Sequence, residues 1–252
     1  MSGKPRCCLY VPCYNAERWL ARTVARISWE HLPAELEYSL LFVDNASVDG
    51  TWNEIERLRQ VHGGAAIRHQ TNRGYGGSVK TAFGHCLSEG FDILAILHAD
   101  GQYAPEELPR LLRELLERPP VALHFGSRLT GSPLKGGMPL YKFLANHALS
   151  ALQNAALGTR LSEFHSGYRL YRVKLVDRVP WARASDGFVF DNEIIFLLRQ
   201  EGLEISEAPI PTFYGEEKSH VPKLGTPAAI LANLARYILA RRGWRRDPLY
   251  SR

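Results

Sequence analysis

The chain predicts an α/β fold: one domain with a mainly parallel central sheet, helices on both faces and a C-terminal amphipathic helix. Two observations carry this. Short apolar runs alternate with segments of helical periodicity through the first half, as in a sheet built from strand–helix repeats. The run Leu94-Ala-Ile-Leu97 is apolar without alternation, which suits a strand covered on both faces. At 252 residues, 45% hydrophobic and 23% charged, the chain has an ordinary globular composition and the length of one large domain or one domain with an appendage.

In order, Cys7 to Val11 reads as a strand, and Asn15 to Ile27 as a helix with Trp19, Leu20, Val24 and Ile27 on one face. Tyr38 to Val43 is a strand and Thr51 to Val61 a helix; Ala66 to His69 is a short strand and Gly77 to Ser88 a helix. Ile93 to Leu97 is a strand, followed by a helix over Glu106 to Leu116. The second half loses that rhythm. Val121 to Gly126 reads as a strand, Gly131 to Gly137 as a glycine-rich loop and Pro139 to Leu157 as a long helix. Phe164 to Arg172, Phe188 to Gln200 and Ile205 to Tyr214 add short elements, and Pro227 to Arg242 closes the chain as a helix. No internal repeat or low-complexity tract interrupts it.

With 31 basic and 26 acidic residues the formal charge is +5, compatible with anionic ligands and too weak to argue for nucleic acid. The four cysteines, Cys7, Cys8, Cys13 and Cys86, lack zinc-ligand spacing and read as buried free thiols. Met1 to Arg6 is polar, and no run approaches the roughly 18 apolar residues of a membrane span. The expectation is a cytoplasmic protein, with peripheral contact to the inner membrane face open to it.

Chemistry gathers at the predicted strand exits, the edge where open α/β sheets bind ligands. Asp100 and Gln102, two apart after Leu94–Leu97, offer hard oxygen ligands for a divalent cation carrying a diphosphate. Pro12 ends the first strand, and Asn15 is placed to cap the helix after it. Asp44 emerges at the same edge, where a carboxylate accepts hydrogen bonds from a base or ribose, while Asp49 before Gly50-Thr51 reads as a helix cap. In Asn72-Arg73-Gly74-Tyr75-Gly76-Gly77 the glycines let backbone approach a ligand, and the following helix offers amides to an anion. Neither a dinucleotide fingerprint nor a Gly-Lys-Ser/Thr phosphate loop fits, since position 79 is valine.

The ordered set Val11-Pro12-x-Tyr14-Asn15-x-Glu17, Val43-Asp44-Asn45-x-Ser47-x-Asp49-Gly50-Thr51, Asn72-x-Gly74-Tyr75-Gly76-Gly77 and His98-Ala99-Asp100-Gly101-Gln102-Tyr103 resembles the family-two glycosyltransferases. Gly126-Ser127-Arg128, Met138-Pro139-x-Tyr141-Lys142, His165-Ser166-Gly167-Tyr168-Arg169, Phe188-x-Phe190-Asp191-x-Glu193 and Glu207-x-Pro209-Ile210-Pro211-Thr212 resemble its dolichyl- and polyprenyl-phosphate branch. The resemblance implies a GT-A fold over residues 1–222, with a nucleotide-sugar half to about 125 and an acceptor half beyond, and a helix and basic tail over 223–252. It implies a nucleotide-diphosphate sugar donor, Mg2+ or Mn2+, inversion, and a lipid-phosphate acceptor, a soluble small molecule being the other acceptor class. Carried over by position, Pro12, Tyr14, Asn15 and Glu17 line the nucleoside pocket with Asp44 on the base. Asn72, Gly76 and Ala99 belong to the donor site, and Asp100 and Gln102 hold the cation. Arg128, Arg169 and Lys218 are candidates for phosphates, and Asp191 and Glu193 for an acceptor base. Two departures stand out: His98 replaces the first aspartate of Asp-x-Asp, either touching the donor or packing, and Asn45 stands where many members carry aspartate. A non-catalytic nucleotide-sugar binding module and a nucleotidyltransferase are the competing classes; the second wants a glycine-rich basic loop where Pro12-Cys13-Tyr14-Asn15 stands.

Ile230, Leu231, Leu234, Ile238 and Leu239 form a stripe at helical spacing, followed by Arg241, Arg242, Trp244, Arg245 and Arg246. Two placements fit: on an anionic bilayer, or docked on the domain or on a second copy as a homo-oligomer contact.

Overall fold

The computed structural model describes residues 3–131, 133–134, 136–211 and 225–251. Its strands are β1 (Arg6–Cys13), β2 (Glu37–Asp44), β3 (Ala65–Arg68), β4 (Ile93–Ile96), β5 (Val121–Ser127), β6 (Arg169–Arg172) and β7 (Glu204–Pro209). Its helices are α1 (Leu20–Ala25), α2 (Thr51–His62), α3 (Gly74–Glu89), α4 (Leu108–Leu116), α5 (Leu140–Leu157), α6 (Val173–Val176), α7 (Phe190–Gln200) and α8 (Gly225–Arg241).

The strands form one sheet in the order β3-β2-β1-β4-β6-β5-β7. β1 pairs parallel with β2 and β4, and β2 with β3; β6 runs antiparallel to both β4 and β5, and β5 parallel to β7. Six strands therefore end at one edge, and reversed β6 begins there with Arg169.

Alternation along β1 explains the two cores. Cys8 and Tyr10 face the layer of Val79, Phe83, Phe190 and Phe196 beneath α3 and α7; Cys7, Leu9 and Val11 face the layer of Leu20, Val24, Ile55 and Leu111 beneath α1, α2 and α4. Covered on both sides, β1, β2 and β4 read as the continuous apolar runs that a parallel sheet requires. All four thiols are buried and unpaired.

Four expectations need correction. The first helix covers only Leu20–Ala25, because residues 15–17 are drawn sideways into hydrogen bonds with the β2–α2 loop. Phe164 to Arg172 supplies strand over Arg169–Arg172; from Ile205 to Tyr214 the described residues carry strand over Glu204–Pro209, and 212–214 lie outside the described residues. Helix α3 starts three residues early, at Gly74.

Helix α8 docks on its own domain. Ile230, Leu234 and Tyr237 are buried; Asn233 donates to Asn192 Oδ1 at 3.1 Å and accepts from the Tyr250 hydroxyl at 2.7 Å. Leu231 stays outside, 45% exposed. Among the described residues no helix is long and apolar enough to cross a membrane.

Candidate active site at the sheet edge

The site is built from loops leaving β1, β2, β3 and β4, with the 158–168 loop and the 184–190 segment closing over them. The first two are laced together. Asn15 N–H donates to Ser47 Oγ at 2.9 Å, and Asn15 Oδ1 accepts Val48 N–H at 3.0 Å. Ala16 N–H donates to Thr51 Oγ1 at 2.7 Å, and Glu17 Oε2 accepts Gly50 N–H at 3.0 Å. Asn15 thus caps no helix of its own. Its side chain holds the neighbouring loop, and the lacing sets its φ at +50°, while Ala46 in the opposite loop sits at +62°. Asp49 is not the helix cap expected: Gly50 is the N-cap of α2, which has no side-chain cap, and Asp49 one residue earlier accepts the N–H of Thr51 at 3.0 Å as a local turn bond. Pro12 is half-buried at the end of β1, and Tyr14 beside it is 39% exposed.

Asp44 is fully buried at the end of β2. One of its oxygens accepts Ser47 N–H at 3.0 Å, and the other faces Arg68 Nε at 3.2 Å. Arg68, absent from the sequence reading, lies over the Trp52 ring at 5.2 Å and covers the carboxylate. Nothing near Asp44 in sequence points to it; the register pairing Asp44 with Arg68 does.

Asn45 ties β2 to the loop before α3. Its Nδ2 donates to Asn72 Oδ1 at 2.9 Å and to the Gly74 carbonyl at 3.2 Å; its Oδ1 accepts Arg73 N–H at 2.8 Å and contacts His69 Nδ1 at 2.9 Å. Asn72 Oδ1 also accepts Gly74 N–H at 2.8 Å. The glycine-rich turn is therefore no open anion cradle. A Cβ on Gly74 or Gly76 would run into the carbonyls of Asp186 and Ser185, and one on Gly76 would lie 2.7 Å from Phe190 Cβ. These glycines admit the 185–190 segment, and Gly77 N–H donates to Asp186 O at 3.2 Å.

After β4, Asp100 and Gln102 are half-buried, and Asp100 Oδ1 accepts Gln102 N–H at 3.1 Å, so both side chains leave one turn. Buried Ala99 anchors that turn by accepting from Thr23 Oγ1 at 2.8 Å. A carboxylate and an amide suit Mg2+ or Mn2+, which keep waters and substrate phosphates for their other ligands. Among the described residues no group of three His, Cys, Asp or Glu could hold a metal unaided. His98 packs: its ring lies 5.9 Å from Tyr75 and 4.9 Å from Tyr103, and Nε2 reaches the Gly167 carbonyl at 3.1 Å.

Three acceptor-side expectations change. Arg169, expected to face phosphate, is fully buried with its donors turned to protein carbonyls. Nε donates to Ser166 O at 2.7 Å, Nη1 to Asp191 O at 2.8 Å and Nη2 to Phe164 O at 3.0 Å, because a buried guanidinium must satisfy its donors with protein oxygens. Glu193 is no base either: its oxygens take Ser185 N–H at 2.6 Å and Arg236 Nη1 at 3.3 Å. Arg128 is paired in a fork with fully buried Glu163, at 3.3 and 3.1 Å, which neutralises its charge. Asp191 remains apart. It is 8% exposed, its Oδ1 lies 3.5 Å from Arg169 Nε, and burial raises its pKa against the pull of Arg169 and His98. The Tyr75 hydroxyl and Asp191 Oδ1 are both buried and face one another closely enough that the hydroxyl also pulls the Asp191 pKa down. Lys218 lies outside the described residues.

A mainly parallel sheet covered by helices on both faces, with an oxygen-donor turn at its C-terminal edge, is the architecture of the GT-A class of α/β enzyme. The model for "Glycosyl transferase family 2" matches residues 8–179, and the chain belongs to that family of glycosyltransferases. It is 29% identical over 234 residues to the undecaprenyl-phosphate mannosyltransferase of Micrococcus luteus, covering 92% of this chain and 93% of that one. It is 26% identical over 212 residues to the polyprenol monophosphomannose synthase of Mycolicibacterium smegmatis, covering 81% and 76%. The fold superposes on glucosyl-3-phosphoglycerate synthase of Mycobacterium tuberculosis, solved with Mn2+, UDP-glucose and phosphoglyceric acid. The TM-score is 0.64 at 18% identity, over 98% of this chain and 82% of that one.

Proposed function

We propose that the protein moves a sugar from a nucleotide-diphosphate sugar to a polyprenyl phosphate, with inversion at the anomeric carbon and dependence on a divalent cation. The observation that carries this reading is the Asp100–Gln102 turn at the C-terminal edge of β4, in a chain aligned over nearly its whole length with an undecaprenyl-phosphate mannosyltransferase.

Asp100 and Gln102 would hold the cation against the diphosphate. When bound, that ion offsets the charge gathering on the departing group. An oxygen of the acceptor phosphate attacks the anomeric carbon from the face opposite the diphosphate; the new C–O bond forms as the bond to the leaving phosphate breaks. A phosphate monoester is already anionic, so no proton must be removed. Asp191 then acts by position, its carboxylate fixed beside Arg169 at the floor of the site. The nucleoside lies against Pro12 and Tyr14, and a base reaching Asp44 must move Arg68 aside.

The test begins with a thermal-shift screen of nucleotide sugars, followed by transfer from the stabilising donor to a short-chain prenyl phosphate, with Mn2+ or with chelator. Asp100→Asn should lower kcat/KM by roughly 10²–10³-fold, the scale for losing one preorganised charge-stabilising group, with melting unchanged. Wild-type turnover and metal response in that variant would refute the cation assignment. Transfer to a soluble hydroxyl acceptor and not to the prenyl phosphate would overturn the acceptor class.

A further inference from the structure

Helix α5 is turned inside out for a helix in water. It buries Ser150 and Gln153, whose side-chain polar atoms lack partners, and exposes Leu140, Tyr141, Leu144 and Leu152 at 60%, 66%, 58% and 53%. An ordinary surface helix does the reverse. Ala145, Ala148, Ala151 and Ala155 fill in the exposed stripe. Among the described residues, seven of the thirteen exposed large apolar side chains lie on α5, its lead-in loop (Leu134), α8 (Leu231) and the turn after it (Trp244). Since α5 packs against α8, they draw these side chains toward one region of the surface. A concentration of this kind marks an interaction surface.

Charge chooses the occupant. The sequence contains no Asp or Glu from Arg118 to Ser162, nor from Lys218 to Arg246, so neither α5 nor α8 carries an acid. At the end of α8 and just beyond it, Arg241, Arg242, Arg245 and Arg246 are exposed around Trp244, itself 69% exposed. Apolar side chains edged by arginine and an interfacial aromatic, with carboxylates excluded, complement an anionic lipid surface. Position agrees. β5 runs parallel to β4, so the chain leaves β5 at the catalytic edge and enters α5 from there.

We propose that the outward face of α5, with the basic end of α8, seats the enzyme on an anionic bilayer and brings its sheet edge to the lipid headgroups. This deepens the polyprenyl-phosphate reading and rests on it for its purpose. It differs from the stripe predicted on the last helix, since Ile230 and Leu234 are committed to the core.

The test is co-sedimentation of the full chain with phosphatidylglycerol/phosphatidylcholine vesicles and with phosphatidylcholine alone, at low and high salt. We expect binding to the anionic vesicles, weakened by salt. The triple variant Leu140→Gln/Leu144→Gln/Leu152→Gln should lower partitioning by roughly tenfold or more, and Arg241→Gln/Arg245→Gln should remove most of its salt dependence. Both variants should keep the wild-type melting temperature and turnover on a short, water-dispersed prenyl phosphate, because neither touches the site. A chain that stays in solution at low salt refutes the bilayer contact. So does a dimer seen by sedimentation velocity that the α5 variant dissolves, which would assign the face to a second copy. Vesicle binding without lipid-phosphate transfer would keep the surface and refute the acceptor; transfer to the short acceptor without vesicle binding would do the opposite.

Discussion

Arg169→Met separates a scaffold arginine from a phosphate ligand. Methionine keeps much of the length of the side chain and removes every donor. Three carbonyls, those of Phe164, Ser166 and Asp191, lose their guanidinium bonds, and the Asp191 carboxylate loses the cation 3.5 Å away. Breaking a buried pair by deleting one partner costs about 3–5 kcal/mol, and each orphaned buried acceptor about 1–3 kcal/mol. These losses overlap in one cluster, so about 4 kcal/mol is the expected total. At about 2–4 °C per kcal/mol for a chain of this size, melting should fall by roughly 8–16 °C. Arg169→Lys should lie between, since a point ammonium cannot reach all three carbonyls. The assay is thermal and urea unfolding beside acceptor KM, measured well below the variant's transition. Wild-type melting combined with a tenfold rise in acceptor KM would refute the scaffold assignment and return Arg169 to phosphate binding.

Three further outcomes follow from the same contacts. His124 is fully buried between Ser206 Oγ at 2.8 Å and Glu114 at 3.5 Å, and burial lowers its pKa to about 4. Its folded pKa lies below the ordinary 6.5, so stability is lost as pH falls from about 6.5 toward 4: about 2 kcal/mol between pH 7 and 5, absent in His124→Phe by urea unfolding at both pH values. Asn45→Asp would face carboxylate oxygen against Asn72 Oδ1 and the Gly74 carbonyl, now 2.9 and 3.2 Å from its Nδ2, and should destabilise by about 1–3 kcal/mol; unchanged urea stability at pH 8 would contradict that hydrogen-bond orientation. Ala46→Gly removes the penalty of φ +62° and should raise stability by a few tenths to about 1 kcal/mol, read by the same unfolding curves; a fall would mean that the alanine methyl packs more than it strains.

What could be read from sequence was what depends on near neighbours. The strand–helix rhythm of the first half and the buried strand Ile93–Ile96 each follow from residues within a few positions. Arg169 was out of reach for the opposite reason. Its partners come from the 164–166 turn and from Asp191, joined only when reversed β6 enters the sheet edge. Gly74 and Gly76 read from sequence as letting backbone approach a ligand. The approaching group is a backbone more than a hundred residues away, which glycine spacing does not name.

The family-type residues at the strand exits fall into two physical sets. Asn15, Glu17, Asn45 and Asn72 direct side-chain atoms to backbone amides or to each other, so they hold three loops in one arrangement before any donor arrives. Asp100 and Gln102 share a single turn whose one internal bond uses an oxygen of the carboxylate and a backbone amide, leaving the Gln102 amide group outside that bond. A pattern shared with a family therefore mixes frame and machinery, and burial with bonding separates them. Substitutions in the first set should first move stability and loop rigidity. If the proposed cation site holds, substitutions in the second should first move turnover, because a two-donor site depends on its turn being rigidly placed.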